Sequence, residues 1–213
     1  MDNISIIIRN RNEEEFIGFA IQSCLDFFDK PEIIIVDNNS TDSSLEIVNL
    51  FSDRTKITIV NNPEYTPGSS INLGVSKSTN KYILILSAHS KITKLNFDTV
   101  KNHLKSNIAV FGKQNPIYKG KKITPRYIWK HFSDKRITNM FSESESRYFF
   151  HNAFSFFLRE SLIKFPFDDK LPGKEDRFWA NKMIEKDKDF IYDPDLVCDH
   201  FYTNGGATWK GIG

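Results

Sequence analysis

Three short polar runs carry residue types that hold small molecules: Asn10 to Asn12, Asp37 to Asp42, and Ser87-Ala88-His89. A carboxylate such as Asp37 can accept from a ring N–H or a sugar hydroxyl, and Arg9 and Arg11 can stack on a base or meet phosphate. Asp37 could equally serve as a turn or helix cap, a role also open to Asp42. His89 can ligate Mn²⁺ or another divalent ion as neutral imidazole, although oxygen ligands suit Mg²⁺ better; the alternative is an ordinary loop histidine or an imidazolium meeting phosphate. Late in the chain Glu175 and Asp176 stand together, followed by Trp179, and His200 lies further on. Adjacent acids can open a helix favourably, and because they point in different directions one of them can also act as a base.

Each early run follows an apolar stretch. Ile4 to Ile8, Ile33 to Val36, Ile57 to Val60 and Tyr82 to Leu86 read as buried strands, with Ile108 to Phe111 as a fifth. Helical spacing fills the gaps: Glu13 to Phe28 with three acids in its first turn, about Ser43 to Leu50, Ser69 to Ser78, and a segment with Phe97, Val100 and Leu104 on one face. This alternation predicts βαβ units and a mainly parallel sheet in an α/β fold, with the direction of the last two strands left open. Open sheets of this kind bind ligands at the carboxyl ends of their strands, where the three polar runs fall.

Beyond residue 112 the pattern weakens. Lys113, Lys119, Lys121, Lys122, Arg126, Lys130, Lys135 and Arg136 are opposed locally by Asp134 alone, and 113–148 reads as a long, partly mobile loop. Its basic residues alternate with Tyr118, Tyr127, Trp129 and Phe132, so it could meet an anionic glycan, a lipid-linked diphosphate or a membrane surface, or be merely solvated. Phe149 to Leu158 predicts a strand with a short helix after it, Glu175 to Glu185 a helix, and Phe190 to Tyr192 a short strand. The tail from Asp199, with Gly205, Gly206, Gly211 and Gly213, reads as flexible loop.

Composition narrows the classes. The 213 residues, 39% hydrophobic and 26% charged, fit one folded domain. A net charge of +2 gives no global attraction to nucleic acid, and no motif supports such a partner. Two cysteines outside any CxxC pair predict separate buried thiols in a reducing compartment. Met1-Asp2-Asn3 before Ile4 does not read as a signal peptide, so a cytoplasmic protein is expected. Neither GxGxxG nor GxxxxGK[ST] occurs; Pro67-Gly68 opens a helix that could hold phosphate, or is a turn without a ligand.

Ile4-Ser-Ile-Ile-Ile-Arg-Asn-Arg-Asn-Glu-Glu, Ile33-Ile-Ile-Val-Asp-Asn-Asn-Ser-Thr-Asp, Pro67-Gly68 with Asn72-Leu-Gly74, Lys81-Tyr-Ile-Leu-Ile-Leu, Gly173-Lys-Glu-Asp-Arg-Phe-Trp-Ala and His200 stand in one order across nearly the whole chain. Together they resemble the family 2 glycosyltransferases of the GT-A fold. The resemblance implies a three-layer GT-A-like domain, with 1–112 as the nucleotide-sugar-binding half and 113–213 as the acceptor half. It implies an inverting transfer from a nucleotide-diphosphate sugar to a glycan or lipid-linked acceptor in bacterial surface polysaccharide synthesis, at the inner face of the plasma membrane. Arg9, Arg11, Asp37 and Ser87 then meet the donor, Asp176 is the general base, and Asn152, Glu175 and Trp179 lie near the acceptor, although Trp179 could equally be a core residue. Most relatives carry Asp-x-Asp where this chain has Ser87-Ala88-His89, so His89 and His200 become the candidates to share a divalent Mn²⁺ or Mg²⁺ ion. Three rivals stay open: a sugar nucleotidyltransferase, a non-catalytic nucleotide- or glycan-binding protein, and a basic nucleic-acid or membrane adaptor.

Overall fold

Strand β1 (Ile4–Asn10) has its isoleucines buried, and β2 (Glu32–Asp37) is buried throughout. An uninterrupted apolar run is what a parallel strand covered on both faces requires. The chain is described by a computed structural model over residues 2–119, 121–122 and 127–203. Arg126 and the tail glycines Gly205, Gly206, Gly211 and Gly213 lie outside the described residues.

The first half follows the expected alternation: β1, α1 (Ile17–Phe27), β2, α2 (Ser44–Asn49), β3 (Ile57–Asn61), α3 (Pro67–Lys77) and β4 (Tyr82–Ser87). Then come β5 (Ser90–Lys94), α4 (Phe97–His103), β6 (Ala109–Tyr118), β7 (Lys121–Lys122), β8 (Ile137–Thr138), β9 (Phe141–Ser142), β10 (Arg147–Tyr148), β11 (Phe154–Leu158), α5 (Arg159–Lys164), α6 (Glu175–Ile184) and β12 (Phe190–Phe201). The main sheet runs β3-β2-β1-β4-β11-β6-β12-β5. Its first four strands are parallel, β11 and β5 run against their neighbours, and β6 pairs with β12 in parallel.

Alternation along each strand divides the core between two faces. Ile4, Ile6 and Ile8 join Ile17, Ala20, Ile21, Val48 and Val100 from α1, α2 and α4. Ile7, Ile34 and Val36 join Ile71, Val75, Leu162, Trp179 and Met183 from α3, α5 and α6. The result is three layers, helices on both sides of a mixed sheet whose leading strands are parallel. Cys24 and Cys198 are free and buried, as expected, and burial pushes both thiols up.

Several expectations need correction. Glu13, Glu14 and Glu15 precede α1, whose first turn holds no acid; the helix starts only at Ile17. The segment read as a long loop extends β6 to Tyr118 and buries Trp129, Phe132 and Met140 in the core. Its cations also find acids beyond Asp134: Arg136 pairs with Asp193 (3.1 Å) and reaches Asp195 (3.8 Å). The short strand at Phe190 and the tail at Asp199 are one continuous strand, β12.

Gly68 is needed for a close approach. A methyl group there would sit 2.1 Å from the Asp168 carbonyl oxygen, in backbone that cannot retreat like a side chain. Thr66 caps α3 reciprocally with Ser69, and its hydroxyl donates to the Asp169 carbonyl (2.7 Å). The start of α3 is therefore packed against 168–169, and its glycine serves packing. Gly68→Ala should cost about 1–3 kcal/mol through overpacking, read as a lower urea midpoint with an unchanged m-value.

Candidate functional site at the strand ends

The register brings the polar runs together. Asn10 stands opposite Asp37 across β1 and β2, and Arg9 stands opposite Ser87 across β1 and β4. Asp37 Oδ1 accepts from Asn10 Nδ2 (2.8 Å) and Ser40 Oγ (2.6 Å), and its Oδ2 accepts from the Ser40 amide (2.9 Å). Asp37 thus caps its own turn, while Asp42 accepts from the Ser44 amide at the start of α2 and from the Glu14 amide ahead of α1. Asn10 Oδ1 is buried and has no hydrogen-bond partner among the described residues, an acceptor left over beside Asp37. Arg11 lies exposed after β1.

Arg9 turns toward the other half of the crevice. Its Nη1 donates to Glu175 Oε1 (3.3 Å) and its Nη2 to Asn152 Oδ1 (3.4 Å), while Asn152 Nδ2 donates to the same Glu175 oxygen (2.7 Å). These three residues clasp the end of β1 to the first turn of α6. Asn72 separately ties α3 to the segment leading to that helix, exchanging two hydrogen bonds with the Phe167 backbone.

Asp176 is the next residue of that turn. Burial, and then the neighbouring Glu175, push its carboxyl up to about 7, against the opposing pull of Arg147 and Arg177. A carboxylate in that range can take a proton near neutral pH and release it again. Trp179, expected near an acceptor, is a core residue instead. It is 2% exposed, its indole N–H donates to the Phe165 carbonyl (2.9 Å), and Phe167 stacks on its ring. The exposed aromatic of α6 is Phe178.

The two expected histidines do meet, with ring centroids 4.8 Å apart. Glu13 Oε1 accepts from His89 Nδ1 (2.8 Å), and His89 Nε2 faces Ser87 Oγ (3.1 Å). His200 is fully buried on β12 with Nδ1 against Gln114 Oε1 (2.8 Å). Burial, and then His89 and His151, hold its imidazole well below the ordinary value, so the ring is neutral. Among the described residues no group of three or more His, Cys, Asp or Glu is arranged to hold a metal ion. The donor set fits only an ion completed by ligand oxygens, and His89 would first have to release Ser87 or Glu13.

Sequence reasoning missed Glu13, Gln114 and His151. Glu13 was read as a helix-start acid, and a lone glutamine or histidine carries no pattern.

The family model for glycosyl transferase family 2 matches residues 5–165. An uncharacterized glycosyltransferase of Haemophilus influenzae is 35% identical over 113 residues, 49% of this chain and 45% of that protein. The minor teichoic acid biosynthesis protein GgaA of Bacillus subtilis is 27% identical over 203 residues, 86% of this chain and 44% of that protein. Among solved structures, S. aureus TarS 1-349 in complex with UDP-GlcNAc superposes with a TM-score of 0.73 at 17% identity, over 99% of this chain and 61% of that one. The chain thus spans less than half the length of these curated relatives. The superposition supports the expected GT-A-like architecture.

Proposed function

Because this chain belongs to glycosyl transferase family 2, we propose that it moves a sugar from a nucleotide-diphosphate donor to a glycan or lipid-linked acceptor. The product would be a bacterial surface polysaccharide. The observation that carries this reading is the placement of Asp176, its carboxyl raised to about 7, on a helix clasped through Glu175 to the end of β1.

In this mechanism Asp176 accepts the acceptor hydroxyl proton as the oxygen attacks the anomeric carbon. Attack from the side opposite the diphosphate inverts that centre. Asp37, Ser87 and the leftover acceptor on Asn10 meet the base and ribose, and Arg11, exposed just past the end of β1, meets phosphate. Arg9 and Asn152 hold Glu175, which orients the acceptor side. A divalent ion bound between His89 and His200 would supply charge neutralisation for the departing diphosphate, with Mn²⁺ suiting imidazole better than Mg²⁺. Residues 1–112 form the donor half of a single domain and 113–213 the acceptor half, joined by one sheet. We place the protein in the cytoplasm, in peripheral contact with the inner face of the membrane through its acceptor; among the described residues no helix is long and apolar enough to cross a membrane.

Calorimetry with UDP, GDP, dTDP and CMP, with and without Mn²⁺, tests the donor half. TarS 1-349 binds UDP-GlcNAc and UDP, which makes UDP the first nucleotide to try. Selective binding of one nucleotide supports the reading, and Mn²⁺ dependence lost in His89→Ala supports the shared ion. Failure of all four on folded protein favours the non-catalytic alternative, which the absent Asp-x-Asp keeps in play. Asp37→Asn should weaken the nucleotide about 10–100-fold, since a hydrogen bond to a charged group contributes roughly 1.5–3 kcal/mol. Unchanged affinity would reduce Asp37 to a turn cap.

A further inference from the structure

We propose that Gln114 is a positioning residue that fixes His200 as the Nδ1–H tautomer, so that the lone pair of the ring is on Nε2, the nitrogen turned away from Gln114. The inference rests on the transferase reading only for what that lone pair would meet, a divalent ion on the donor diphosphate.

The assignment follows from hydrogen-bond bookkeeping along a buried chain. His151 Nδ1 accepts from the Ala153 amide (3.4 Å), so that nitrogen carries a lone pair. The Gln114 atom 2.9 Å from the same nitrogen must then be a donor, its Nε2. That orientation leaves Gln114 Oε1 facing His200 Nδ1 at 2.8 Å, and an amide oxygen can only accept. His200 must therefore carry its proton on Nδ1. All three side chains are at least 95% buried, at 5% exposure for His151, 2% for Gln114 and 0% for His200, so water cannot substitute for a missing partner. His89 is held in the same sense by Glu13 through Nδ1. The neighbouring rings thus share one tautomer, enforced by a carboxylate in one case and an amide in the other. A partner on the far nitrogen is the usual means of fixing which nitrogen of an imidazole is presented.

Nitrogen-15 NMR on the intact chain reads the tautomer of His200 directly. The wild type should show a single Nδ1–H form. Gln114→Glu should keep it, because the carboxylate still accepts from Nδ1, whereas Gln114→Met should lose it to a mixture rich in Nε2–H. His151→Leu is the sharper variant. It leaves the Gln114–His200 pair in place but frees the amide to turn over, so His200 should again become mixed. An Nε2–H ring in the wild type, or a pure Nδ1–H ring in both Gln114→Met and His151→Leu, overturns the proposal. The measurement needs no bound nucleotide, so it separates failure of this inference from failure of the transferase reading, which the nucleotide panel tests.

Discussion

Asp176→Asn should lower turnover by about 10²–10⁴-fold, the usual contribution of a positioned base, while raising stability at neutral pH. Both effects have one source. The Asp176 carboxyl is raised by burial and by Glu175 to about 7, above the roughly 3.9 of an unfolded aspartate. A group shifted this way stabilises the fold fully below the unfolded value, and that contribution is lost as pH rises through the folded value. The window is therefore about pH 4 to 7, and above it the wild type carries the full cost of an ionised, crowded carboxylate. A three-unit shift corresponds to about 4 kcal/mol at most, and partial exposure of the residue reduces the expected gain in Asp176→Asn to about 1–3 kcal/mol at pH 8. The gain should vanish near pH 4. Turnover by the wild type should climb with pH to a plateau above about 7, and the residual rate of the variant should be flat there. Denaturant midpoints at the two pH values and a rate profile decide it. Normal turnover in the variant would remove Asp176 from the chemistry, and loss of nucleotide binding would assign it to the donor instead.

Arg9→Met should be the most destabilising of the site substitutions, at about 3 kcal/mol or more. Glu175, with 8% of its side chain exposed, would keep only the Asn152 amide, and an uncompensated buried charge costs roughly 3–5 kcal/mol. Adding Glu175→Gln should restore much of the loss, since a neutral amide no longer needs the guanidinium. The coupling between the two should reach 0.5–3 kcal/mol, the ordinary span for residues in contact. Urea denaturation of the wild type, both single variants and the double variant completes the cycle. The same proteins test the expectation that Arg9 meets the donor. A stability loss with nucleotide affinity unchanged makes Arg9 a clasp between halves, and the reverse outcome returns it to the nucleotide.

The chain as far as β4 was legible because parallel strands covered on both faces leave continuous apolar runs, and the polar ends follow them directly. Asp37, Ser87 and His89 could be placed from that rule alone, and the family pattern brought Glu175 and Asp176 to the same crevice. The chain beyond β4 was not legible in this way. β5 buries Ser90 and Ile92 of a mostly polar Ser-Lys-Ile-Thr-Lys, and the apolar pattern of β12 is broken by Asp193, Pro194 and Asp195, although the strand itself runs on. Those acids are tolerated because His103 and Arg136 reach Asp193 from distant parts of the chain, as pairing within a short window cannot show. Trp179 was ambiguous for a related reason: whether an aromatic faces a sugar or a core depends on Phe150, Phe157 and Phe167, which arrive from other elements.

The place of β12 in the sheet bears on how the protein is made. It lies between β6 and β5, so the pairing surfaces of two earlier strands wait for a segment that leaves the ribosome about a hundred residues after β5. Until then both edges are open, and open edges are templates for pairing with other chains. Vectorial synthesis can pair the parallel β3-β2-β1-β4 block early, because the ladders within it are complete once β4 has emerged, although the far edge of β4 still waits for β11. Among the described elements, closure at β12 comes late and is slow because its partners are remote in sequence. Nascent chains stalled before residue 190 should accordingly be the ones that aggregate or call on chaperones.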